Sequence, residues 1–496
     1  MPRVAFGVTT PEYNSQPPFH PDTAYPELPF QERSTQPNRP YHLLRQLFCR
    51  LGLDRERQGT PGWNPLGDLI QPGQTVLLKP NFVINFNASG GDLFAVITHP
   101  SILRALVDYA YLALRGQGRL VIADAPQMDC NWGKLVAGLQ LEMVREFYRS
   151  RFHFDIELYD LREFAVINPS QPAYSGNRQK LPGDPSGSVL VNLGRDSAFY
   201  GQPSHNYYGA DYDRTETIRC HQGETHAYTV SKTALAADVI ISVPKMKVHK
   251  KVGVTLNLKG TVGITTNKNC LVHYRIGTPR SGGDQFPDNT PQTRRGIIKA
   301  QRWLFDHALA RQTRFGDAMY RIARTGYRVC LRPFLPGPAN PFSYDGGDWH
   351  GNDSAWRMAA DLAQILFFAD ARGNLQRTPQ RRLFSVVDGI IGGENAGPLA
   401  PDAKLAGCLV AGANPVAVDL VTTRLMGFDV AKLRQFSLIS SPARDFGLHS
   451  LSDIEVVGDD GSISGSDFFS GAYLGPIFGF KPHPGWIGHI EQPSGP

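Results

Sequence analysis

Residues 75–124 read TVLLKPNFVINFNASGGDLFAVITHPSILRALVDYAYLALRGQGRLVIAD. The apolar run Thr75-Val-Leu-Leu-Lys79 ends at Pro80-Asn81 and reads as a short buried strand. His99-Pro100 then opens a helix with proline in its first turn, and Leu103, Leu106, Val107, Ala110 and Leu114 form one apolar stripe. After Gly116 and Gly118, Arg119 to Ala123 reads as a second strand and Trp132 to Tyr148 as a second helix. A strand, helix, strand, helix order calls for parallel strands joined by helical crossovers. The expected fold is therefore α/β and Rossmann-like: a mainly parallel sheet with helices on both faces, plus insertions and irregular N- and C-terminal extensions.

The same grammar continues downstream. Asp238 to Val243 is a strong buried strand cut off by Pro244, Trp356 to Asp370 a helix, and Phe384 to Asp388 and Gly407 to Gly412 further strands. Asn414 caps a helix that has Pro415 in its first turn and Gly427 as its stop. Asp453 to Val457 reads as one more strand. These elements divide the chain into an N-terminal extension wrapped on the core (1–73), an α/β core (74–428) and a C-terminal extension (429–496). Within the core lie a polar excursion (169–217) and a glycine-rich and helical insert (277–350), in which Arg294 to Arg328 reads as a long basic helix.

With 496 residues, 50 glycines and 38 prolines, the chain is long enough for a large core and rich in ordered loops. Its formal charge is only +6, and no basic stripe carries interleaved aromatics, so nucleic acid is not an expected partner. No apolar run approaches the ~18–20 residues of a membrane span, and the N-terminus shows no basic region followed by an apolar one. No two of the six cysteines lie closer than 50 positions (Cys220 to Cys270). That excludes zinc-ribbon and iron–sulfur spacing and leads us to expect free thiols in a reducing cytoplasm.

The chemistry concentrates at strand ends. Pro244 to Lys251 places Lys245, Lys247, His249, Lys250 and Lys251 directly after a buried strand, where open parallel sheets bind ligands. Read as extended, the following segment turns Thr255, Asn257 and Lys259 to one face. Lys79, Asn81, Asp124 and Asp388 end other strands, and His99 begins a helix. We expect Lys245, His249 and Asp388 to do chemistry. Lys79, Asn81, His99, Lys247, Thr255, Asn257, Lys259, His273, Arg275, Gly392, Gly393 and Asn395 would bind the substrate, the last three through a glycine-rich loop, with a hinged lid around Gly277 to Asp284. Asp124, Asp129 and Asp419 are candidate ligands for a divalent ion, with Asp388 nearby in this reading. Cys220-His221-x-x-Glu224-x-His226 is a weaker metal motif, its histidines five apart. No G-x-G-x-x-G, P-loop or G-x-S-x-G pattern occurs, so NAD, ATP and a serine elbow are not implied. The competing reading makes the lysine run an ordinary solvated loop.

KPN (Lys79 to Asn81), THP (Thr98 to Pro100), ADVIISVPKMKVH (Ala237 to His249), GVTLNLKGTVG (Gly253 to Gly263), VDGIIGGENAGP (Val387 to Pro398) and AGANPVAVD (Ala411 to Asp419) together resemble the DUF362 family over about Thr75 to Gly427. The resemblance implies no assigned reaction. It carries over Lys79, Asn81, His99, Asp124, Lys245, Lys247, His249, Lys259, Asp388 and Asp419 as motif residues. Several family members bear a ferredoxin-type cluster segment, whose clustered cysteines this chain lacks, and similar proteins are linked to extracellular-polysaccharide pathways. The expected function is an enzyme acting on a small anionic metabolite, phosphorylated or carboxylated and of sugar origin. The alternative is a non-catalytic anion- or metal-binding protein, an accessory factor in polysaccharide biosynthesis.

Overall fold

The computed structural model describes residues 1–168, 177–209, 214–304, 346–440, 444–470 and 473–492, with positions 306, 318, 322, 325 and 326 between them. Apolar segments that alternate between two faces build an eleven-stranded sheet from these residues. The strands are β1 (Arg3–Val8), β2 (Thr75–Pro80), β3 (Arg119–Asp124), β4 (Ile156–Asp160), β5 (Val239–Val243), β6 (Lys245–His249), β7 (Gly253–Val254), β8 (Arg382–Glu394), β9 (Asp402–Gly412), β10 (Glu455–Gly458) and β11 (Gly461–Ser464). Nine of them run in the order β11-β10-β1-β9-β8-β5-β2-β3-β4, while β6 pairs with β8 and β7 with β6. The run β8-β5-β2-β3-β4 is parallel throughout, and β9 enters antiparallel to both β8 and β1.

Within β2, Val76 and Leu78 join one core while Leu77 joins the other; within β5, Val239 and Ile241 part from Ile240 in the same way. The first core is covered by α1 (Arg39–Arg50), α2 (Pro100–Leu114), α3 (Trp132–Leu139) and α4 (Leu141–Phe152), through residues such as Leu47, Leu106, Leu135 and Val144. The opposite face is covered by α7 (Ala355–Phe368) and α8 (Pro415–Met426), through Leu362, Ile365, Leu420 and Val421. Two shorter elements complete the set used below: α5 (Leu256–Gly260), on this second face, and α6 (Gln292–Leu304). The sheet is thus mainly parallel and sandwiched by helices, as expected.

β8 is the hinge between fold and site. Its first residues pair with β5 (Val239 with Arg382, Ser242 with Ser385), and its later ones with β6 (Lys245 with Asp388, Lys247 with Gly393). Pro244 lies between the two partners, and its carbonyl accepts from Asp388 N at 2.9 Å. Because proline has no N–H to continue the ladder, the chain steps sideways there and resumes pairing with the lysines in place.

Several expectations change. The helix expected over Trp132 to Tyr148 is two helices, broken at Gln140 in the left-handed region (φ 52°). The N-terminal residues do not merely lie on the core, since β1 is inserted between β9 and β10. Cys220 and Cys270 are joined as a disulfide with Cα atoms 5.6 Å apart, against the expectation of free thiols. The fold, not local spacing, brings them together. Of the expected 294–328 helix, α6 is described to Leu304, and most of the remainder lies outside the described residues. Among the described residues no helix is long and apolar enough to cross a membrane.

Since β1 supplies partners to both β9 and β10, deleting residues 1–10 removes two ladders. The truncated chain is expected to show no cooperative thermal transition by circular dichroism. A truncated chain that melts like the full one would contradict the role given to β1.

Candidate functional site

Strand periodicity turns Lys245, Lys247 and His249 of β6 to one side, and Met246 and Val248 to the core on the other. Lys245 is fully buried. Its Nζ lies 3.0 Å from Asp388 Oδ2 and donates to Tyr13 Oη at 2.7 Å; Tyr13 in turn donates to Asp388 Oδ1 at 2.6 Å. The same carboxylate accepts His99 N at 3.0 Å, and the Tyr13 ring stacks on the His99 ring at 3.9 Å. Burial lowers the Lys245 ammonium below its ordinary range despite Asp388, and raises the Tyr13 phenol. His99 caps α2, its Nδ1 accepting Ser101 N at 3.1 Å.

Lys247 Nζ donates to main-chain carbonyls, Val96 at 2.7 Å and Pro398 at 3.3 Å. Val96 O also accepts Asn81 Nδ2 at 2.8 Å. Burial pushes the Lys247 ammonium well below its ordinary value, reinforced by Lys245 and Lys259 and opposed by Asp124. At the ends of β2 and β3, Lys79 Nζ meets Asp124 Oδ1 at 3.1 Å, while Asp124 Oδ2 accepts Phe82 N at 2.7 Å. Gly263 is packed on this pair so closely that a Cβ there would overlap the carboxylate. Lys268 donates to Ala125 O at 2.8 Å and Val262 O at 2.9 Å, and burial pushes it down to about 7.

In the turn after β6, Lys250 and Lys251 share Asp348, at 3.1 and 2.7 Å. Burial opposes ionisation of Asp348, yet Lys251 and Lys250 hold it well below the usual carboxylate range. The chain then forms α5, which carries Lys259. Lys259 is 8% exposed and makes no hydrogen bond or ion pair among the described residues. Burial, then Lys251, push its ammonium down to about 7. Of the lysines gathered here (79, 245, 247, 250, 251, 259, 268), Lys259 alone has no partner for its side chain among the described residues; Asp124, Asp348 and Asp388 pair with Lys79, Lys245, Lys250 and Lys251, and main-chain carbonyls take Lys247 and Lys268.

Two histidines share this field. Lys259 is the charge that acts most strongly on both His249 and His273, and burial first, then the lysines, hold both rings well below their ordinary value. Both are therefore neutral near pH 7, and the main chain sets opposite tautomers. His249 Nδ1 accepts Lys251 N at 3.0 Å, so its proton is on Nε2. His273 Nδ1 faces the Leu271 carbonyl at 3.1 Å; a carbonyl only accepts, so Nδ1 carries the proton and Nε2 is left as an acceptor. One ring offers an N–H, the other a lone pair.

The structure brings Lys79, Asn81, Asp124, Lys245, Lys247, His249, Lys259, His273, His99 and Asp388 into one region, in which Lys259, His249 and His273 are related to one another by charge and not by a hydrogen bond among the described residues. It does not do so for the rest. The 253–263 segment is not extended: α5 and a following 3-10 turn replace the alternating face, so Thr255, Asn257 and Lys259 do not line up. The cause is Asp419 of α8, whose carboxylate accepts Asn257 N (2.9 Å), Asn257 Nδ2 (2.7 Å) and Leu258 N (2.8 Å) and so holds the start of the helix. Thr255 Oγ1 is sealed in without a partner. Arg275 binds Gln202 (2.6 Å) and Asp353 (2.8 Å), and Asn395 binds Asp402 (2.9 Å) at the β8-β9 turn. Gly392 and Gly393 are strand residues, not a loop. A Cβ on the first would press on Phe480, and one on the second on the Ala95 carbonyl and Lys247.

The metal set is not assembled either. Asp124 is taken by Lys79 and two main-chain N–H groups, and Asp419 by α5. Among the described residues no three His, Cys, Asp or Glu are arranged to hold an ion. In the 220–226 motif, His221 Nε2 faces Cys270 O at 2.7 Å while Glu224 turns outward to Arg195. Sequence reasoning missed Tyr13, for which no local signal exists, and the common lysine field that acts on His249 and His273, 24 positions apart.

A family model matches residues 179–424, from the early part of the polar excursion to the last turn of α8. The chain belongs to the DUF362 family. The family is described as a domain of unknown function. No curated protein matches the chain. The matched DUF362 segment contains Lys245 through Asp419, whereas Tyr13, Lys79, His99 and Asp124 lie before it. The cluster is therefore completed by residues outside the matched region.

A lysine whose pKa is lower folded than unfolded costs stability. The unfolded chain binds more protons between about 7 and 10.5, so the cost is complete below pH 7 and disappears above 10.5. Lys259→Met is accordingly expected to raise stability at pH 7 by on the order of 1–3 kcal/mol, with the gain fading toward pH 10.5 in urea titrations. A loss of stability at pH 7 would mean Lys259 has a partner after all. Asp419→Ala is expected to cost about 2–4 kcal/mol, since three buried donors lose their acceptor. The same titrations check it.

Proposed function

We propose that this protein is an enzyme that binds a small anionic metabolite beside Lys259, with His249 and His273 handling its protons. The observation that carries the reading is Lys259 itself: a nine-tenths buried lysine without a counter-ion among the described residues, in a field made positive by Lys247 and Lys251. Burying an unpaired cation is expensive, and a bound anion is the group that would offset it. His249 Nε2–H is suited to hydrogen-bond an oxygen that gains negative charge, and His273 Nε2 to accept a proton. A neutral imidazole used as a donor is a known catalytic device.

In this reading Lys245 and Asp388 hold β6 in place and do not touch the ligand, because each already serves the other and Tyr13. Lys247 and Lys251 contribute charge. A phosphate or carboxylate suits the field equally. Its sugar origin, and the link to polysaccharide biosynthesis, rest on the family resemblance. A non-catalytic anion binder would need the lysines but not two neutral histidines of opposite tautomer beside the unpaired amine.

Thermal melting with inorganic phosphate and with glucose 6-phosphate tests the site. Saturating anion is expected to raise the melting temperature by about 5 °C or more, and the rise should fall by at least half in Lys259→Met and in His249→Ala. No rise with either anion, or an undiminished rise in both variants, would reject the proposal.

A further inference from the structure

We infer that Lys259 is a covalent-catalytic residue, which condenses with the aldehyde or ketone carbonyl of an anionic substrate, such as a 2-oxo acid, to form a Schiff base. This rests on the anion-site reading above and names the substrate class for it. The argument begins with what singles out Lys259. A lysine that serves structure satisfies its ammonium, as Lys247 and Lys268 do with carbonyls and Lys79, Lys245, Lys250 and Lys251 do with carboxylates. The four on carboxylates need their charge, and Lys247 and Lys268 each already use two N–H groups in carbonyl bonds. Lys259 keeps none, so nothing is lost when it becomes the free amine, the form that attacks a carbonyl carbon.

Its neighbours support the same chemistry. Lys251 disfavours a second positive charge at Lys259, and burial pushes in the same direction, so a large share of the amine is neutral at pH 7. The two imidazoles supply the proton steps. The Lys259 Nζ lone pair forms the C–N bond while the carbonyl π electrons move to oxygen, which accepts a hydrogen bond from His249 Nε2–H. His273 Nε2 takes a proton from nitrogen and delivers it to that oxygen, giving the carbinolamine. The nitrogen lone pair then closes the C=N bond as the C–O bond breaks, and the oxygen leaves as water with the second nitrogen proton, again carried by His273. Amine and carbonyl give imine and water; no oxidant, reductant or metal is required. The lysine field holds the substrate's carboxylate or phosphate and favours the anionic carbonyl over neutral ones.

Glyoxylate, the smallest anionic aldehyde, is the probe. The full chain is incubated with it at pH 7, reduced with cyanoborohydride, digested and mapped by mass spectrometry, with pyruvate as a second probe. The expected result is one dominant adduct at Lys259, formed at least tenfold faster than at any other lysine. It should be absent in Lys259→Met and slowed at least tenfold in His273→Ala. Adducts spread evenly over surface lysines with both probes, or an unchanged dominant adduct in Lys259→Met, would overturn it. Melting of the same samples with probe but without reductant separates the two readings. A melting-temperature rise without a Lys259 adduct sinks the covalent step and leaves the anion site standing, whereas neither rise nor adduct sinks both.

Discussion

Everything distinctive about this molecule follows from burying more lysines than carboxylates at one end of a parallel sheet. An ammonium taken out of water loses several kcal/mol of hydration, and a protein keeps it only by supplying bonds in return. Here the return takes two forms with different consequences. Asp124, Asp348 and Asp388 bond to lysines and cancel their charge. The carbonyls of Val96, Pro398, Ala125 and Val262 bond to Lys247 and Lys268 without cancelling anything. Carbonyl ligation satisfies the donors and leaves the positive field intact.

The cluster is assembled from segments that no single supersecondary unit contains. β6 brings three residues, but its anchor Asp388 lies on β8, its aromatic clamp Tyr13 comes from the chain's first loop, and the Lys79–Asp124 pair closes the ends of β2 and β3. Thr98 ties these parts together, its hydroxyl donating to Val243 O at 2.7 Å and accepting Asn81 N at 2.9 Å. The step at Pro244 is what lets one long strand, β8, be paired by a plain apolar strand in its first half and by the lysine strand in its second. Fold and site are therefore one construction, and the segment that matches the family model holds only part of it.

How much of this was legible depends on whether the cause was local. Buried strands announce themselves by apolar runs ending in proline or glycine, and β2, β3, β5 and β8 were readable for that reason. Capping is local too, and α8 was read from Asn414, Pro415 and Gly427, which the structure bears out. The 253–263 segment misled because Thr255, Asn257 and Lys259 alternate like a strand, while the force that makes the helix is a carboxylate more than 150 residues downstream. Asp419 looked like a metal ligand for the same reason: a lone buried acid shows its charge in the sequence but not the main-chain N–H groups it will meet. Tyr13, the Cys220–Cys270 bond and the opposite tautomers of His249 and His273 are products of tertiary contact, and no spacing rule encodes them.

The low basicity of the two histidines bears on the proposed anion site. Burial first, and the lysine field after it, disfavour protonation of either ring, so His273 is a weak base and His249 stays a neutral donor. In the proposed reading an arriving anion partly cancels that field, and the part of the effect that comes from the lysines shrinks. His273 then becomes a better proton acceptor because the ligand is present. The amine of Lys259 feels the same change and is drawn toward its protonated form, so a substrate gains most when it reacts with the amine before its charge re-protonates it. A carbonyl held on the same small molecule as the anionic group meets that condition, since its carbon reaches the nitrogen in the binding event that delivers the charge. Charge recognition and acid–base competence are in this way a single property of the lysine cluster.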